Sequence, residues 1–378
     1  MIPFKLTDEQ KALQETARKF GEKELYPIAL ETDEKHYFPM EVFRKMGEVG
    51  FAGMLLPPEY GGAGLDYVGF ALVFQQLNKA CVGLSTCLVP HTGQQMVVDQ
   101  FGNEEQKKKF IPALAKGEML GGFALTEPDA GSDAAAVRTT AVLDGDHYIL
   151  NGTKNFITNA GSAEQYLVIA RTAPDVKGHK GLSALIVTSD LPGFSVGKIE
   201  DKMGARANPA GSLIFEDVPV PKENLVGKEG KGLSIGLTLL NYARVTAAIG
   251  GIGVAEAAFE VASKYARERV QFGKPIIDFQ GISFKLVDMK IQLEAAENML
   301  YGICHLLDIG EGTPTMVAML KVFATDMAMK VTTEAVQVLG GYGYMKEYRV
   351  EQYMRDAKLT QIYDGTNEIQ RTIIARDL

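Results

Sequence analysis

Near the C-terminus, Ile362-Tyr363-Asp364-Gly365-Thr366-Asn367-Glu368 sets one acidic side chain, Asp364, on a tight glycine turn just before a short helix. A carboxylate there can face a closed pocket instead of solvent, and desolvation then raises its pKa toward the operating pH, as a proton acceptor requires. Upstream, Phe123-Ala124-Leu125-Thr126-Glu127-Pro128-Asp129-Ala130-Gly131-Ser132-Asp133 is a loop dense in hydroxyls and small residues. Its donors can converge on a pyrophosphate or a flavin carbonyl, or it can be a plain surface turn. Asn155-Phe156-Ile157-Thr158 alternates as a strand does, which puts Phe156 and Thr158 on one face, either lining a flavin or packing a β domain. Arg244, near the start of a helix of small residues, serves either an ion pair or as a guanidinium facing a phosphate or the Asp364 loop. Gly340-Gly341-Tyr342-Gly343 is not the Gly-x-Gly-x-x-Gly fingerprint, and no βαβ unit surrounds it.

The elements that must hold these groups fall into three stretches, an α+β architecture. Residues 1–116 form an N-terminal α-helical domain, opened by a capping-box pattern at Thr7 and Gln10, with further helices near 39–49, 67–79 and 104–116. Residues 117–228 change to short β-rich runs separated by turns, Asp144-Gly145 and Asn151-Gly152 among them, which predicts a small sandwich or barrel. Residues 229–378 return to long helices. Ile282, Leu286, Met289, Leu293, Ala296, Leu300, Ile303 and Leu307 alternate steps of four and three, the seam of a four-helix bundle, and Thr313-Pro314 opens the next helix.

Composition narrows the function. A net charge of −8 over 378 residues excludes broad nucleic-acid binding, so an anionic ligand must meet local positive charge. The start, Met1-Ile2-Pro3-Phe4-Lys5, lacks the blocks of a signal peptide, and no apolar run is read as long enough to span a bilayer, so a cytoplasmic protein without membrane contact is expected. Cys81, Cys87 and Cys304 form no Cys-x-x-Cys pair, and only His91 lies near two of them, so no metal site is expected.

In that order and spacing, residues 125–133, 150–159, 268–274, 337–343 and 355–368 resemble the acyl-CoA dehydrogenase family from end to end. The resemblance implies FAD held by Phe123, Leu125, Thr126, Gly131, Ser132, Phe156 and Thr158, with Thr366 and Glu368 near the flavin end and adenosine linkage. Phe156 stands where relatives usually carry Trp. It implies that a neighbouring subunit completes the adenosine end with Arg269, Gln271, Phe272, Gln337 and Gly341, in a homotetramer built as a dimer of dimers. It also implies that Asp364 takes the α-proton of an acyl-CoA thioester, with the Thr366 N–H on the thioester carbonyl, and that electron-transfer flavoprotein accepts the electrons. Substrate contacts are expected from Ser132, Asn241, Arg244, Tyr363 and Gly365, and from His91 and Thr92 along the acyl pocket. Asn241 replaces an Asp common in relatives.

Most relatives carry Glu where Asp364 stands, and the missing methylene retracts the carboxylate by about 1.5 Å. Either the loop moves inward or the substrate is bulkier at its α-carbon. Family members acting on alicyclic thioesters such as cyclohexane-1-carboxyl-CoA carry Asp here, and that substrate is the preferred expectation. Ala243 occupies the other known base position, and residues 90–95 hold no carboxylate, which favours simple α,β-dehydrogenation. The alternatives are a butyryl-type dehydrogenase and an oxidase of the nitroalkane type.

Overall fold

The computed structural model describes residues 4–378, so Met1-Ile2-Pro3, part of the start read above, lies outside the described residues. The N-terminal helices are α1 (Asp8–Phe20), α2 (Ala29–Lys35), α3 (Met40–Glu48), α4 (Tyr67–Ser85), α5 (Leu88–Phe101), α6 (Glu104–Phe110) and α7 (Pro112–Ala115). The capping box opens α1 as expected, with the Thr7 hydroxyl and Gln10 amide satisfying each other's backbone N–H groups. Sequence periodicity gave no helix at α5. Its buried face carries His91, Thr92, Gln94 and Gln95, and so hides the apolar stripe that marks an amphipathic helix.

Eight strands follow: β1 (Gly121–Ala124), β2 (Thr140–Asp144), β3 (His147–Thr158), β4 (Gln165–Arg171), β5 (Leu182–Thr188), β6 (Phe194–Ile199), β7 (Ala210–Pro221) and β8 (Leu225–Val226). They form one sheet in the order β6-β7-β3-β2-β4-β5-β8, with β1 pairing parallel to β4. Asn151-Gly152 is not a turn between strands. β3 runs through it, and the register against β7 shifts between Leu150 and Gly152, a bulge that glycine permits at φ 142°. A second shift between Lys154 and Ile157 breaks the expected alternation of Phe156 and Thr158. Phe156 takes a left-handed φ of 56° and is 62% exposed.

The C-terminal part contains α8 (Gly232–Glu268), a short hairpin of β9 (Val270–Gln271) and β10 (Lys274–Pro275), then α9 (Gln280–Asp308), α10 (Pro314–Leu339), α11 (Val350–Thr360) and α12 (Asn367–Ala375). The predicted seam of α9 is buried at Leu286, Met289, Leu293, Ala296, Leu300 and Ile303. Against the sequence expectation, α8 is long and apolar enough to cross a bilayer by length and composition, but 78% of that window is buried inside the protein, so it is the core helix. Gly253 lets α8 meet α4 closely, since a Cβ there would stand 2.9 Å from the Gln75 carbonyl.

The three parts are clamped at α11. Arg355 forks onto Asp33 at 2.8 and 3.2 Å and donates to the Met203 carbonyl at 3.0 Å, while Asp356 accepts the Ala205 N–H at 2.6 Å. These two residues open the motif that contains Asp364, so the Asp364 loop is tethered to both other parts of the fold. All three cysteines are buried and free, and no cluster of potential metal ligands occurs among the described residues.

Candidate active site

Asp364 follows the end of α11 and precedes α12 in a turn whose backbone is unusual. Its φ is 56° and that of Gly365 is 89°, two consecutive left-handed residues. Asp tolerates that region better than most residues, and Gly is required next to it: a Cβ on Gly365 would lie 2.7 Å from the Gln370 side chain. Such strain persists only where the surroundings fix it. Here the Asp364 carbonyl accepts from Arg244 Nε and Gln370 Nε2, both at 3.4 Å, and the Gly365 carbonyl accepts from Lys321 Nζ at 3.0 Å and Gln370 Nε2 at 2.9 Å.

The Asp364 carboxyl is pushed up to about 6 by burial, against the opposing pull of Lys321 and Arg244. Its Oδ2 is buried without a hydrogen-bond partner. An ionised oxygen with no donor is costly unless the group has a proton to take. Tyr363 borders it, and burial holds that phenol well above its ordinary range. Arg244, buried on α8, donates to Asn241 Oδ1 at 2.6 Å and through Nε to the Asp364 carbonyl at 3.4 Å, so its guanidinium faces the Asp364 loop.

Thr366 caps α12 through its hydroxyl, which accepts the Ile369 N–H at 3.4 Å, and Glu368 stands exposed in the first turn. The Thr126 carbonyl accepts the Asn155 N–H at 2.8 Å and so ties the 123–133 loop to β3 beside Phe156 in sequence. Phe123 reaches α8 at Gly236, while Gly131 and Ser132 are exposed at the loop tip.

His91 lies on α5. It is fully buried, its Nδ1 accepts the Gly121 N–H at 2.9 Å, and its ring meets Phe43 edge-on at 5.0 Å. Burial pushes it down to about 3, so it is neutral, and its bond to the Gly121 N–H braces β1. Thr92 faces the Tyr242 hydroxyl without completing a hydrogen bond. Tyr242 lies within the electrostatic reach of Asp364.

Arg269, Gln271 and Gly341 gather elsewhere, around a pocket of about 520 Å³ shared with Tyr265, Tyr342 and Met345. The Arg269 guanidinium lies over the Tyr342 ring at 5.7 Å. Phe272 and Gln337 are exposed nearby in sequence but outside that lining. Tyr265 and Arg244 are both on α8, roughly 30 Å apart at 1.5 Å per residue, so within one chain the two groups do not surround the same point.

Comparison with known proteins decides the family. The chain matches the models for the acyl-CoA dehydrogenase N-terminal domain over residues 7–118, the middle domain over 122–218 and the C-terminal domain over 230–378. The chain belongs to the acyl-CoA dehydrogenase family. It is 44% identical to a short-chain-specific acyl-CoA dehydrogenase of Clostridium acetobutylicum, over 99% of both chains. It is equally identical, 44%, to the cyclohex-1-ene-1-carbonyl-CoA dehydrogenase of Syntrophus aciditrophicus, over 99% of this chain and 90% of that one. Its fold superimposes with a TM-score of 0.97 on butyryl-CoA dehydrogenase from Megasphaera elsdenii, 43% identical, covering 100% of this chain and 99% of the other.

Two buried lysines of this acyl-CoA dehydrogenase escaped the sequence reading. Lys154 on β3 donates to the Leu125 carbonyl at 2.9 Å and to Glu127 at 2.8 Å. Burial pushes the lysine down to about 8; burial also works against the Glu127 charge, but Lys154 and the neighbouring donors hold that carboxyl below its ordinary value. The pair thus fixes the 123–133 loop from beneath. Lys321 on α10 does the same for the Asp364 turn. Each had a signal, a lone charge inside an apolar or β-rich stretch: Lys321 is the only charged residue between Pro314 and Thr325.

Proposed function

We propose that this acyl-CoA dehydrogenase carries FAD and converts an alicyclic acyl-CoA thioester, with cyclohexane-1-carboxyl-CoA as the type substrate, into its α,β-unsaturated product. The observation that carries the reading is Asp364: a carboxyl raised to about 6, with Oδ2 buried and unpartnered on a strained turn. The residues present fit FAD. Lys154 draws the Leu125 carbonyl inward and leaves Thr126 half-buried, bonded through its carbonyl to the Asn155 N–H. Gly131 and Gly341 have nothing within 4 Å of where a Cβ would stand, so a cofactor can approach their backbones. The Arg269 pocket supports the adenosine end reaching a neighbouring subunit.

FAD, when bound, supplies the acceptor for the β-hydride. Asp364 takes the α-proton, and the Thr366 N–H, two residues on, donates to the thioester carbonyl so that enolate charge is met as it develops. Arg244 fixes the backbone between them through the Asp364 carbonyl. Asn241, already engaged by Arg244, orients that guanidinium. Ala243 is fully buried and apolar, so α8 offers no second base there. The retracted Asp carboxylate suits a tertiary α-carbon on a ring. A butyryl-type substrate is the second reading, supported by the likeness to the two short-chain enzymes. Electron-transfer flavoprotein is the proposed acceptor.

The test is anaerobic bleaching of the bound flavin by cyclohexane-1-carboxyl-CoA and butyryl-CoA side by side, with oxygen uptake followed in air. Fast bleaching by the cyclic thioester alone, without oxygen uptake, is expected. Bleaching by butyryl-CoA alone assigns the straight-chain substrate, and rapid oxygen uptake makes the protein an oxidase.

The proposed tetramer has a candidate face. Phe284, Val287 and Ile291 on α9 and Met319 and Phe323 on α10 are exposed, beside an apolar pocket of about 510 Å³ between α9, α10 and α12. Ile291→Asp is expected to release smaller species in sedimentation velocity. A variant that sediments as wild type does would remove this face from the assembly.

A further inference from the structure

We propose that Lys321 is a positioning residue for the reaction proposed above: its buried ammonium, bonded to the Gly365 carbonyl and the Asn367 side chain, holds the Asp364 turn and keeps the Asp364 carboxylate ionised. Lys321 is fully buried in the middle of α10, 44 residues before Gly365. Its Nζ donates to the Gly365 carbonyl at 3.0 Å and to Asn367 Oδ1 at 2.9 Å. The Gly365 carbonyl also receives Gln370 Nε2 at 2.9 Å, but the Thr325 hydroxyl, 3.2 Å from Asn367 Oδ1, gives its one proton to the Lys321 carbonyl at 2.7 Å, so Asn367 Oδ1 needs a donor at 321. A neutral donor such as an amide could supply it, and a buried ammonium is expensive. What lysine adds is charge beside the base.

The surrounding charges leave that field directed at Asp364. Arg244 reaches the turn from α8 by donating to the Asp364 backbone carbonyl, and its charge adds to that of Lys321 in favouring the carboxylate. Asp326, one turn along α10, is engaged by Arg371 at 2.7 Å, Gln361 at 2.6 Å and Asn367 Nδ2 at 2.7 Å. Glu368 on α12 is exposed. Tyr363 and Tyr242, the phenols in electrostatic contact with Asp364, are held neutral by burial. Burial pushes Lys321 itself down to about 8, with Asp364 the foremost charge opposing that.

The experiment uses the FAD-loaded holoenzyme as Lys321→Met and Lys321→Gln. The protonated-carboxyl infrared band, assigned by its loss in Asp364→Asn, is titrated without substrate. In both variants its midpoint is expected to rise by about one pH unit or more. The acidic limb of kcat should follow, with kcat at pH 7 down by about twofold for a one-unit rise and more for a larger one, and KM within about threefold. Gln preserves a hydrogen-bond donor, so a Gln variant titrating as wild type does would reduce Lys321 to a hydrogen-bonded core residue and overturn the proposal. Asn367→Ala leaves the ammonium in place and serves if the lysine variants do not fold. Its band should titrate near the wild-type midpoint, and a rise of a full unit there would contradict the charge as agent. Because the titration needs no thioester, it reports on Lys321 even if the substrate proposed above is wrong.

Discussion

Asp364→Asn is expected to slow flavin reduction by a thioester on the order of 10³-fold while leaving thioester binding nearly intact. The substitution keeps the shape of the turn and removes the one group there that can take a proton, since Ala243 offers no substitute. Rapid-mixing absorbance gives the rate, and ligand titration of the oxidised protein gives the binding. The same variant should melt a few degrees higher than wild type at pH 7. A carboxyl raised from 3.8 to about 6 binds its proton more tightly in the folded state than in the unfolded one. Ionisation therefore costs stability as pH rises through that window, and the cost is regained below it. Asn carries no such charge, so the gain over wild type should shrink as pH falls below about 6. A variant both slow and less stable at neutral pH would point to a structural role for Asp364.

Asp364→Glu is expected to invert substrate preference. The added methylene advances the carboxylate by about 1.5 Å, one C–C bond, into the space assigned to an alicyclic ring. A single methylene in a fitted pocket is worth roughly 10–200-fold in discrimination. The ratio of kcat/KM for cyclohexane-1-carboxyl-CoA over butyryl-CoA should therefore fall by about that range. If both substrates lose activity equally, the base does not set the width of the site. Because a longer side chain must also occupy the left-handed turn at φ 56°, thermal unfolding of the variant separates strain from specificity.

Much of the fold was legible because apolar spacing survives wherever an element buries one face. The α9 seam and the Thr7 capping box read directly from residue types. What periodicity missed were elements whose buried residues are polar. α5 buries His91, Thr92, Gln94 and Gln95, and β3 passes through an Asn-Gly pair that ordinarily makes a turn. Asp364 was legible as a carboxylate on a glycine turn ahead of a helix. Lys321 was not, since its contacts lie 44 and 46 residues away and only the packing of α10 under α12 brings them together. The surroundings of His91 were equally hidden, because its ring meets Gly121 and Phe43, 30 and 48 residues away.

The most direct test of Asp364 as the base is anaerobic single-turnover flavin reduction by cyclohexane-1-carboxyl-CoA, protiated and α-deuterated, from about pH 5 to about pH 9. The prediction is a rate that falls on the acid side with a midpoint near 6, is slowed by α-deuteration, and loses that limb in Asp364→Asn. A rate independent of pH across that range, or one indifferent to α-deuterium and unchanged by the substitution, would mean that another group removes the proton.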